Sequence, residues 1–145
     1  MPRSVCLLAG VLLCGMALGS DAPREYDGET GWDDGLQGAW ASVSYTRGPD
    51  TGEWVGWGLS FSRGEYEFRT RQKIAERGTY KVGLRRGSHH LDLTPVDSEV
   101  GLVAPRQLYQ VDGDTLRVAW KPNGGGRPKS FDEDGILIVT YKRVK

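Results

Sequence analysis

Two histidines and a neighbouring carboxylate are the side chains of this sequence with the clearest capacity for chemistry. His89, His90 and Asp92 stand together, and the chain has no other histidine. Imidazole and carboxylate groups are zinc ligands, but successive strand residues point to opposite faces, so His89 and His90 cannot face one ion. His90 and Asp92 share a face, yet two ligands are too few for a zinc site. We therefore expect no bound metal and predict solvated histidines near the end of a strand.

Arrangements that would support catalysis are missing from the sequence. No serine stands in a Gly-x-Ser-x-Gly elbow. Asp112 and Asp114 flank a glycine, and turn chemistry explains them better than the acid pair of a glycosidase does. The run Asp132-Glu133-Asp134-Gly135 lacks the ligand spacing of a calcium loop, and Asn123-Gly124-Gly125-Gly126 lacks the Lys-Ser/Thr that would hold phosphate. The sequence thus predicts a protein that is not an enzyme and has no cofactor.

Aromatic side chains are the remaining candidates for a site. They are more numerous than a small β-barrel needs for alternation alone, and apolar pockets are built from such residues. Two alternatives stay open: the aromatic side chains fill the interior of the fold completely, or they line a cavity of ligand size. Trp54 belongs to this aromatic set. The candidate ligand-binding residues are Trp57, Tyr66, Phe68, Tyr80, Tyr109 and Trp120.

A hairpin over residues 107–120 is the clearest structural element that could position these side chains. Asp112-Gly113 is a favoured centre for a two-residue type I′ turn, which would place Tyr109 opposite Leu116. In that register one face is apolar, and a slip by one residue would scramble both faces. The residues of the buried face are Tyr109, Val111, Leu116, Val118 and Trp120.

About eight short strands are predicted along the chain, at the spacing typical of an all-β barrel or sandwich. Near-sequential hairpins favour an antiparallel up-and-down barrel, because closure removes exposed edges; a β-sandwich is the alternative. Outside the hairpin, the predicted strands are residues 40–46, 53–62, 65–69, 78–82, 90–94 and 136–141.

The connections between these strands have distinct signals. Arg63-Gly64 and the run Arg85-Arg86-Gly87-Ser88 predict tight turns. Residues 72–77 are the only plausible helix, of one or two turns. The connection over residues 121–135 is long for a hairpin, so we expect it to overhang a barrel mouth, with Phe131 as its anchor.

The N-terminus is typical of an export signal. Arg3 is followed by an apolar run over residues 5–13 and a small-residue cleavage site before Ser20, which predicts a signal peptide over residues 1–19. A helix retained in the mature fold is the alternative, and the run is too short to span a bilayer. Both cysteines lie in this segment, and Cys14 followed by Gly15 raises a second alternative, lipoprotein anchoring. We expect simple export to the periplasm or the exterior.

Residues 20–35 carry six acidic residues against one basic residue, without periodicity. This composition predicts a disordered acidic linker ahead of a barrel domain over residues 36–145. The linker could instead fold back weakly on a basic face, since the remainder has 17 basic and 13 acidic residues. Because the whole chain has no net charge, we expect neither nucleic acid nor an anionic membrane as a partner.

Sequence blocks spread over residues 36–145 resemble, in the same order, those of a family. The family comprises secreted lipocalin-like domains, without established activity, that are abundant in planctomycete bacteria. The Trp-rich stretch over residues 53–58 departs from it. The matching blocks are Leu36-Gln37-Gly38-Ala39-Trp40, Gly64-Glu65-Tyr66, Gly78-Thr79-Tyr80-Lys81-Val82, Leu91-Asp92-Leu93-Thr94-Pro95, Leu108-Tyr109-Gln110-Val111-Asp112-Gly113-Asp114-Thr115-Leu116 and Arg127-Pro128-Lys129-Ser130-Phe131.

The resemblance implies an eight-stranded lipocalin-like barrel in an exported protein. Gly38-Ala39-Trp40 is also similar to the opening motif of true lipocalins, in which a basic residue of the last strand covers the tryptophan. Arg143 is the candidate for that residue here, and Trp40 with Arg143 would close one barrel end.

Our functional expectation is an exported, non-enzymatic binding module that holds a small hydrophobic or aromatic ligand in its interior. The alternative is a structural or protein-interaction domain of the cell envelope, with a filled core. That alternative predicts an exposed aromatic patch around Trp54 and Trp57 in place of a cavity.

Overall fold

A computed structural model of the chain describes residues 33–98 and 106–145, together with the backbone of residues 26–30. The signal peptide predicted for residues 1–19, and with it Cys14, lies outside these residues. The described ranges contain ten β-strands and no helix. The strands are β1 (Tyr26–Thr30), β2 (Gly38–Arg47), β3 (Asp50–Glu53), β4 (Gly58–Ser62), β5 (Glu65–Arg69), β6 (Ile74–Arg85), β7 (Ser88–Ser98), β8 (Arg106–Asp112), β9 (Thr115–Trp120) and β10 (Leu137–Arg143).

Eight of the strands close into an antiparallel barrel. Around the wall the order is β6-β5-β4-β2-β10-β9-β8-β7, and β7 pairs back with β6. Each strand except β2 and β10 neighbours the barrel strands before and after it in sequence, so the topology is up-and-down. Closure satisfies the backbone groups that an open sheet would leave at its edges. The predicted barrel is confirmed, and the alternative of a sandwich is excluded.

The barrel wall follows the period-two alternation of apolar side chains. In β5, Tyr66 and Phe68 are buried and Glu65 and Arg69 are exposed. The same alternation brings large side chains from every barrel strand into one interior core. Its fully buried members include Leu36, Trp40, Tyr66, Phe68, Leu91, Leu116, Val118 and Val139.

The hairpin of β8 and β9 has the predicted faces but not the predicted register. Tyr109 pairs with Val118 and Asp112 with Thr115, so the turn is centred on Gly113 and Asp114, and the type I′ turn at Asp112-Gly113 is wrong. Gly113 alone among the turn residues has a positive φ, of 57°. A type II′ turn requires a positive φ at its first central position, which glycine favours. The error amounts to two residues along the strand, so the same residues point into and out of the barrel as predicted, although Leu108 and Ala119 on the outer face are also buried.

The two other predicted tight turns are confirmed. Ser62 pairs with Glu65 and Arg85 with Ser88 across two-residue loops. The first loop residues, Arg63 and Arg86, have φ values of 47° and 50°, and each is followed by a glycine with positive φ. These are type I′ geometries, which match the twist of the flanking strands.

The helix predicted for residues 72–77 is wrong. Strand β6 already begins at Ile74, and its first residues pair with β5 on one side and β7 on the other. A segment of six residues gains little from helix formation, because nucleation costs more than so few hydrogen bonds return. Ladder bonds on two edges therefore decide its conformation.

The single strand predicted for residues 53–62 is also wrong. Strands β3 and β4 pair with different halves of the same edge of β2. Residues 54–57 cross between them, and the Trp54 amide donates to the carbonyl of Val43 while Trp57 accepts from the Ser42 amide.

The disordered linker predicted for residues 20–35 differs from the structure where the structure describes it. The backbone of β1 pairs with the edge of β6 at Val82 and Leu84, beyond the end of β5. Residues 33–35 belong to a turn packed on the barrel. Pairing of the β1 backbone with an otherwise open edge of β6 satisfies backbone hydrogen-bonding groups, and the acidic composition of the segment does not indicate this.

A second, smaller core lies on the outside of the barrel. Leu108, Ala119, Ile136 and Ile138 are buried there, and Phe131 packs against them. The connection from β9 to β10 therefore lies on the outer wall and does not overhang a mouth as predicted. Phe131 is its anchor, as predicted.

Candidate functional site: the two ends of the barrel

One end of the barrel is closed by the turn of residues 33–37, which we call the plug. Leu36 in this turn has no exposed surface, and its carbonyl accepts a hydrogen bond of 2.8 Å from Nε1 of Trp40. Gln37 Nε2 donates to the Tyr80 hydroxyl at 2.6 Å, and the Tyr109 hydroxyl donates to Asp33 Oδ2 at 2.8 Å. The plug is thus bonded to side chains that rise from the barrel interior.

Arg143 secures the plug from the last strand. Its guanidinium carbon lies 4.1 Å from the centroid of the Trp40 ring, the contact expected from the lipocalin resemblance. Its Nη1 donates to the Gln37 carbonyl at 2.6 Å, and its Nη2 donates to the Gly35 carbonyl at 2.9 Å. Its Nε lies 3.3 Å from Oδ1 of Asp114. Arg143 therefore joins the last strand, the plug and the β8–β9 turn in one network.

Two of the six candidate ligand-binding residues belong to this closed end. Tyr80 and Tyr109 are buried, and their hydroxyls are bonded to the plug. Burial, and then the hydrogen bond to Asp33, raise the pKa of Tyr109 above its ordinary value. A phenol that is buried and already hydrogen-bonded holds the fold together at this position and offers no free group to a ligand.

A buried carboxylate that no sequence motif predicted lies further along the interior. Glu76 is 1% exposed, and its Oε1 accepts a hydrogen bond of 2.6 Å from the Tyr66 hydroxyl. Its Oε2 accepts a bond of 2.8 Å from Ser98 Oγ. Burial, and then the bond to Glu76 and its charge, raise the pKa of Tyr66. Alternation along β6 from Tyr80 through Gly78 was the signal that could have placed Glu76 inside.

The opposite end carries the aromatic rim, which we define as Tyr45, Trp54, Trp57 and Trp120. Tyr45 and Trp54 have ring centroids 5.7 Å apart, and Trp54 and Trp57 have centroids 4.6 Å apart. The chain of edge-to-face contacts continues from Trp57 to the buried Phe68 at 4.9 Å. Such geometry is favourable between aromatic rings. All four rim side chains are partly exposed, so the interior core extends to the surface at this end.

A crevice below Trp57 and Trp120 is the apolar space that the structure shows at the rim. Its volume is about 10 Å³. One water molecule needs a space of this size, whereas ligand pockets measure roughly 300–1,000 Å³. Aromatic and aliphatic side chains thus fill the interior in this conformation. The crevice is lined by Trp57, Leu59, Phe68, Gln107, Val118, Trp120 and Tyr141.

The six candidate residues therefore fall into three groups. Trp57, Phe68 and Trp120 meet at the crevice, Tyr80 and Tyr109 hold the plug, and Tyr66 bonds to Glu76. Gln107, a polar residue of the crevice lining, was not among the candidates predicted from the sequence. It precedes the hairpin's apolar run, and alternation from Tyr109 places it on the inner face.

The polar clusters considered from the sequence lie elsewhere. His89 is exposed and packs near Tyr109, with ring centroids 5.3 Å apart, whereas His90 and Asp92 face outward. Within residues 33–98 and 106–145, no three histidine, cysteine or acidic side chains are grouped to hold a metal ion. Asp114 is paired with Lys145 and Arg143, and this lowers the pKa of its carboxyl group. Glu133 is bonded to Lys121 and the Lys129 amide.

Comparison with known proteins adds a likeness of fold. The sequence matches no protein-family model and no curated protein. Among solved structures, the chain is similar to a lipocalin-like protein from Bacteroides uniformis, with 13% sequence identity and a TM-score of 0.49. The alignment covers 76% of this chain and 99% of that one. The strand pairing itself defines the class, which is the eight-stranded up-and-down barrel that lipocalins share. In the described residues, no helix has the length and apolarity to cross a membrane.

Proposed function

We propose that the protein is an exported, non-enzymatic binding module that holds a small apolar or aromatic ligand at the aromatic rim. The observation that carries the proposal is the crevice between Trp57 and Trp120. Its walls are apolar, and Gln107 contributes a polar side chain. Small-molecule sites have this composition, with apolar walls that supply affinity and few polar groups that fix orientation.

The ligand is assigned to the rim because the remaining interior is occupied. Tyr66, Tyr80 and Tyr109 are buried and hydrogen-bonded, whereas Trp57 and Trp120 are only partly buried. Rotation of a partly exposed side chain costs less packing than displacement of a fully buried one. A ligand ring inserted between the indoles of Trp57 and Trp120 would fill the crevice that they line and leave the core below it closed.

Export and the lack of catalysis are supported by the sequence. Residues 1–19 have the charged start, apolar run and small-residue site of a signal peptide, and the resembling planctomycete family is secreted. Cys14 keeps lipoprotein anchoring as an alternative mode of export. The outward His90 and Asp92 and the turn residues Asp112 and Asp114 lack the arrangement of a nucleophile and its base.

Binding of an uncharged fluorescent probe, N-phenyl-1-naphthylamine, tests the ligand proposal. We expect saturable binding to the wild-type protein. Trp57→Ala and Trp120→Ala should each bind the probe about tenfold more weakly, because each removes one wall of the crevice. Phe131→Ala is the matched control, since it removes an aromatic ring from the outer core. Absence of probe binding to the wild-type protein, or equal binding by all variants, would contradict the proposal.

A second candidate, a protein-interaction domain of the cell envelope with a filled core, is favoured by the small volume of the crevice. Val55, which follows Trp54 in the chain and precedes Trp57 by two residues, is 50% exposed. A photo-crosslinking residue at position 55 would then capture a defined partner in host cells, whereas one at the exposed Val96 would not. Probe binding without a position-55 partner supports the ligand, and the converse result supports this second candidate.

A further inference from the structure

A cationic cleft lies on the outer surface, between the β6–β7 hairpin and the connection from β9 to β10. Its volume is about 440 Å³, which is within the range of small-ligand sites. It is separate from the aromatic rim and shares no residue with the crevice there. Its polar lining consists of Arg85, Arg86, Ser88, His90, Arg127 and Lys129.

The hairpin forms one wall of this cleft. Arg86 is in the left-handed conformation of a type I′ turn, and the turn is fixed by the pairing of Arg85 with Ser88. His90 follows on the outward face and is half-buried. The hairpin thus presents cationic and hydroxyl groups from a rigid two-strand support.

The β9–β10 connection forms the other wall and is anchored at both sides of its cationic residues. Arg127 donates to the Gln107 carbonyl at 2.9 Å and forms an ion pair with Asp92. Pro128 is fully buried, and the Lys129 amide donates to Glu133 Oε2 at 2.5 Å. These contacts fix the backbone, so that the side chain of Lys129 projects from a positioned segment.

Cationic charge exceeds anionic charge around the cleft. Asp92 is engaged by Arg127, and Glu133 forms an ion pair of 2.7 Å with Lys121. In the described part of the chain, neither the guanidinium of Arg86 nor the ammonium of Lys129 forms an ion pair with an acidic side chain, although the charge of Lys129 also acts on Glu133. Burial lowers the pKa of His90, and the charges of Arg127, Arg85 and His89 lower it further, while Asp92 acts in the opposite direction.

We propose that this cleft binds the phosphate or sulfate group of a small ligand. Guanidinium and ammonium groups donate charge-assisted hydrogen bonds, and arginine matches the oxygen spacing of such anions with two parallel bonds. The hydroxyl of Ser88 adds a donor at the cleft. The proposal is independent of the aromatic rim, because a different surface and a different chemistry carry it.

Titration of the full chain with inorganic phosphate and inorganic sulfate, followed through the His90 ring resonances by NMR, tests the proposal. We expect saturable shifts with a dissociation constant in the millimolar range or below, typical of an open site with a few charged donors. A bound anion beside His90 also raises the pKa of its imidazole. Acetate provides the comparison arm, and we expect it to bind at least about tenfold more weakly, because it has fewer acceptor oxygens.

The variant Arg86→Gln/Lys129→Gln removes two donors whose loss breaks no ion pair among the described residues. We expect it to weaken phosphate and sulfate binding by about tenfold or more. Arg47→Gln, on the hairpin between β2 and β3, is the control, because it also replaces a cationic side chain by glutamine but lies outside the cleft. It should bind phosphate and sulfate as the wild-type protein does. Linear shifts without saturation, equal binding of acetate, or unchanged affinity in the double variant would each overturn the proposal.

Discussion

Arg143 shows at the scale of one residue how the closed end is held. Its guanidinium covers Trp40 and donates to the carbonyls of Gly35 and Gln37. Hydrogen bonds with a charged donor stabilise by roughly 1.5–3 kcal/mol each, and a cation over an indole adds about 0.5–2 kcal/mol. Such values are not additive when the contacts share one side chain.

We expect Arg143→Ala to lower the free energy of unfolding by about 2–4 kcal/mol, because the plug loses its bonds to the last strand. The free energy of unfolding of Arg143→Lys should lie between those of the alanine variant and the wild type, since an ammonium group cannot reproduce the planar arrangement of guanidinium donors. Urea unfolding followed by tryptophan fluorescence measures the change. Arg69→Ala is the control, because the ion pair of Arg69 with Glu67 is exposed and is worth less than about 1 kcal/mol. Equal losses in the two alanine variants would contradict this role of Arg143.

Individual residues also show what the sequence could and could not predict. Similarity to the lipocalin opening motif placed Arg143 against Trp40. Glu76 was missed because a carboxylate is rarely buried, and only its partners Tyr66 and Ser98 make burial acceptable. Those partners come from β5 and β7, and their approach depends on the pairing of three strands, which no local pattern specifies.

Strand β6 shows at the scale of one element how closely the barrel wall is built. A Cβ atom at Gly78 would lie 2.1 Å from the Thr94 carbonyl oxygen and 2.8 Å from Pro95 Cα, both backbone atoms of β7. A Cβ atom at Gly83, in the same strand, would have no atom within 4 Å. Backbone atoms of a paired strand cannot rotate away, so the two glycines differ in the space around them.

We therefore expect Gly78→Ala to destabilise the protein by about 3 kcal/mol or more, because β6 and β7 must separate. Gly83→Ala is the matched control and should change the free energy of unfolding by no more than about 0.5 kcal/mol. Thermal unfolding of both variants, followed by circular dichroism, gives the comparison. If both variants unfold at the same temperature, the close approach at Gly78 is not as described.

The elements themselves were predictable to different degrees. Alternation identified both faces of the β8–β9 hairpin, but a two-residue shift preserves alternation, so the pattern could not decide the register. The turn geometry decided it, through the single positive φ at Gly113. The short helix over residues 72–77 failed for a related reason, since ladder bonds to β5 and β7 are absent from any local signal.

At the scale of the whole molecule, the barrel buries three tyrosines that resist ionisation. Burial is the first cause that raises the pKa values of Tyr66, Tyr109 and Tyr141. The unfolded chain loses these protons near pH 10, before the folded chain does. Stability from these groups is therefore complete below about pH 10 and declines as the pH rises above it.

We expect the free energy of unfolding to fall above about pH 10 by roughly 1.4 kcal/mol per pH unit for each of the three tyrosines. Phenolate absorbance and circular dichroism, measured together during alkaline titration, check this result. Ionisation of the three buried tyrosines should coincide with unfolding. Tyr141→Phe should reduce the fall of the free energy of unfolding per pH unit by about one third. Ionisation of all tyrosines near their ordinary pKa in a folded protein would contradict the prediction.

Whole-molecule packing was the level least accessible from the sequence. The aromatic content correctly indicated an apolar barrel interior, yet it was compatible both with a cavity and with a filled core. The difference depends on how Trp57, Phe68 and Trp120 interlock, that is, on volumes of tens of cubic ångströms. The alternation of apolar residues and the composition of the sequence do not specify volume differences of that size.

The seam between β2 and β10 has a consequence for biosynthesis. It joins Trp40 to Arg143, which leaves the ribosome about a hundred residues later. A nascent chain therefore cannot close the barrel before β10 has been synthesised. Contacts between residues so far apart in sequence also make folding slow. Until β10 has been synthesised, β2 and β9 each lack this neighbour, and their unpaired edges favour aggregation.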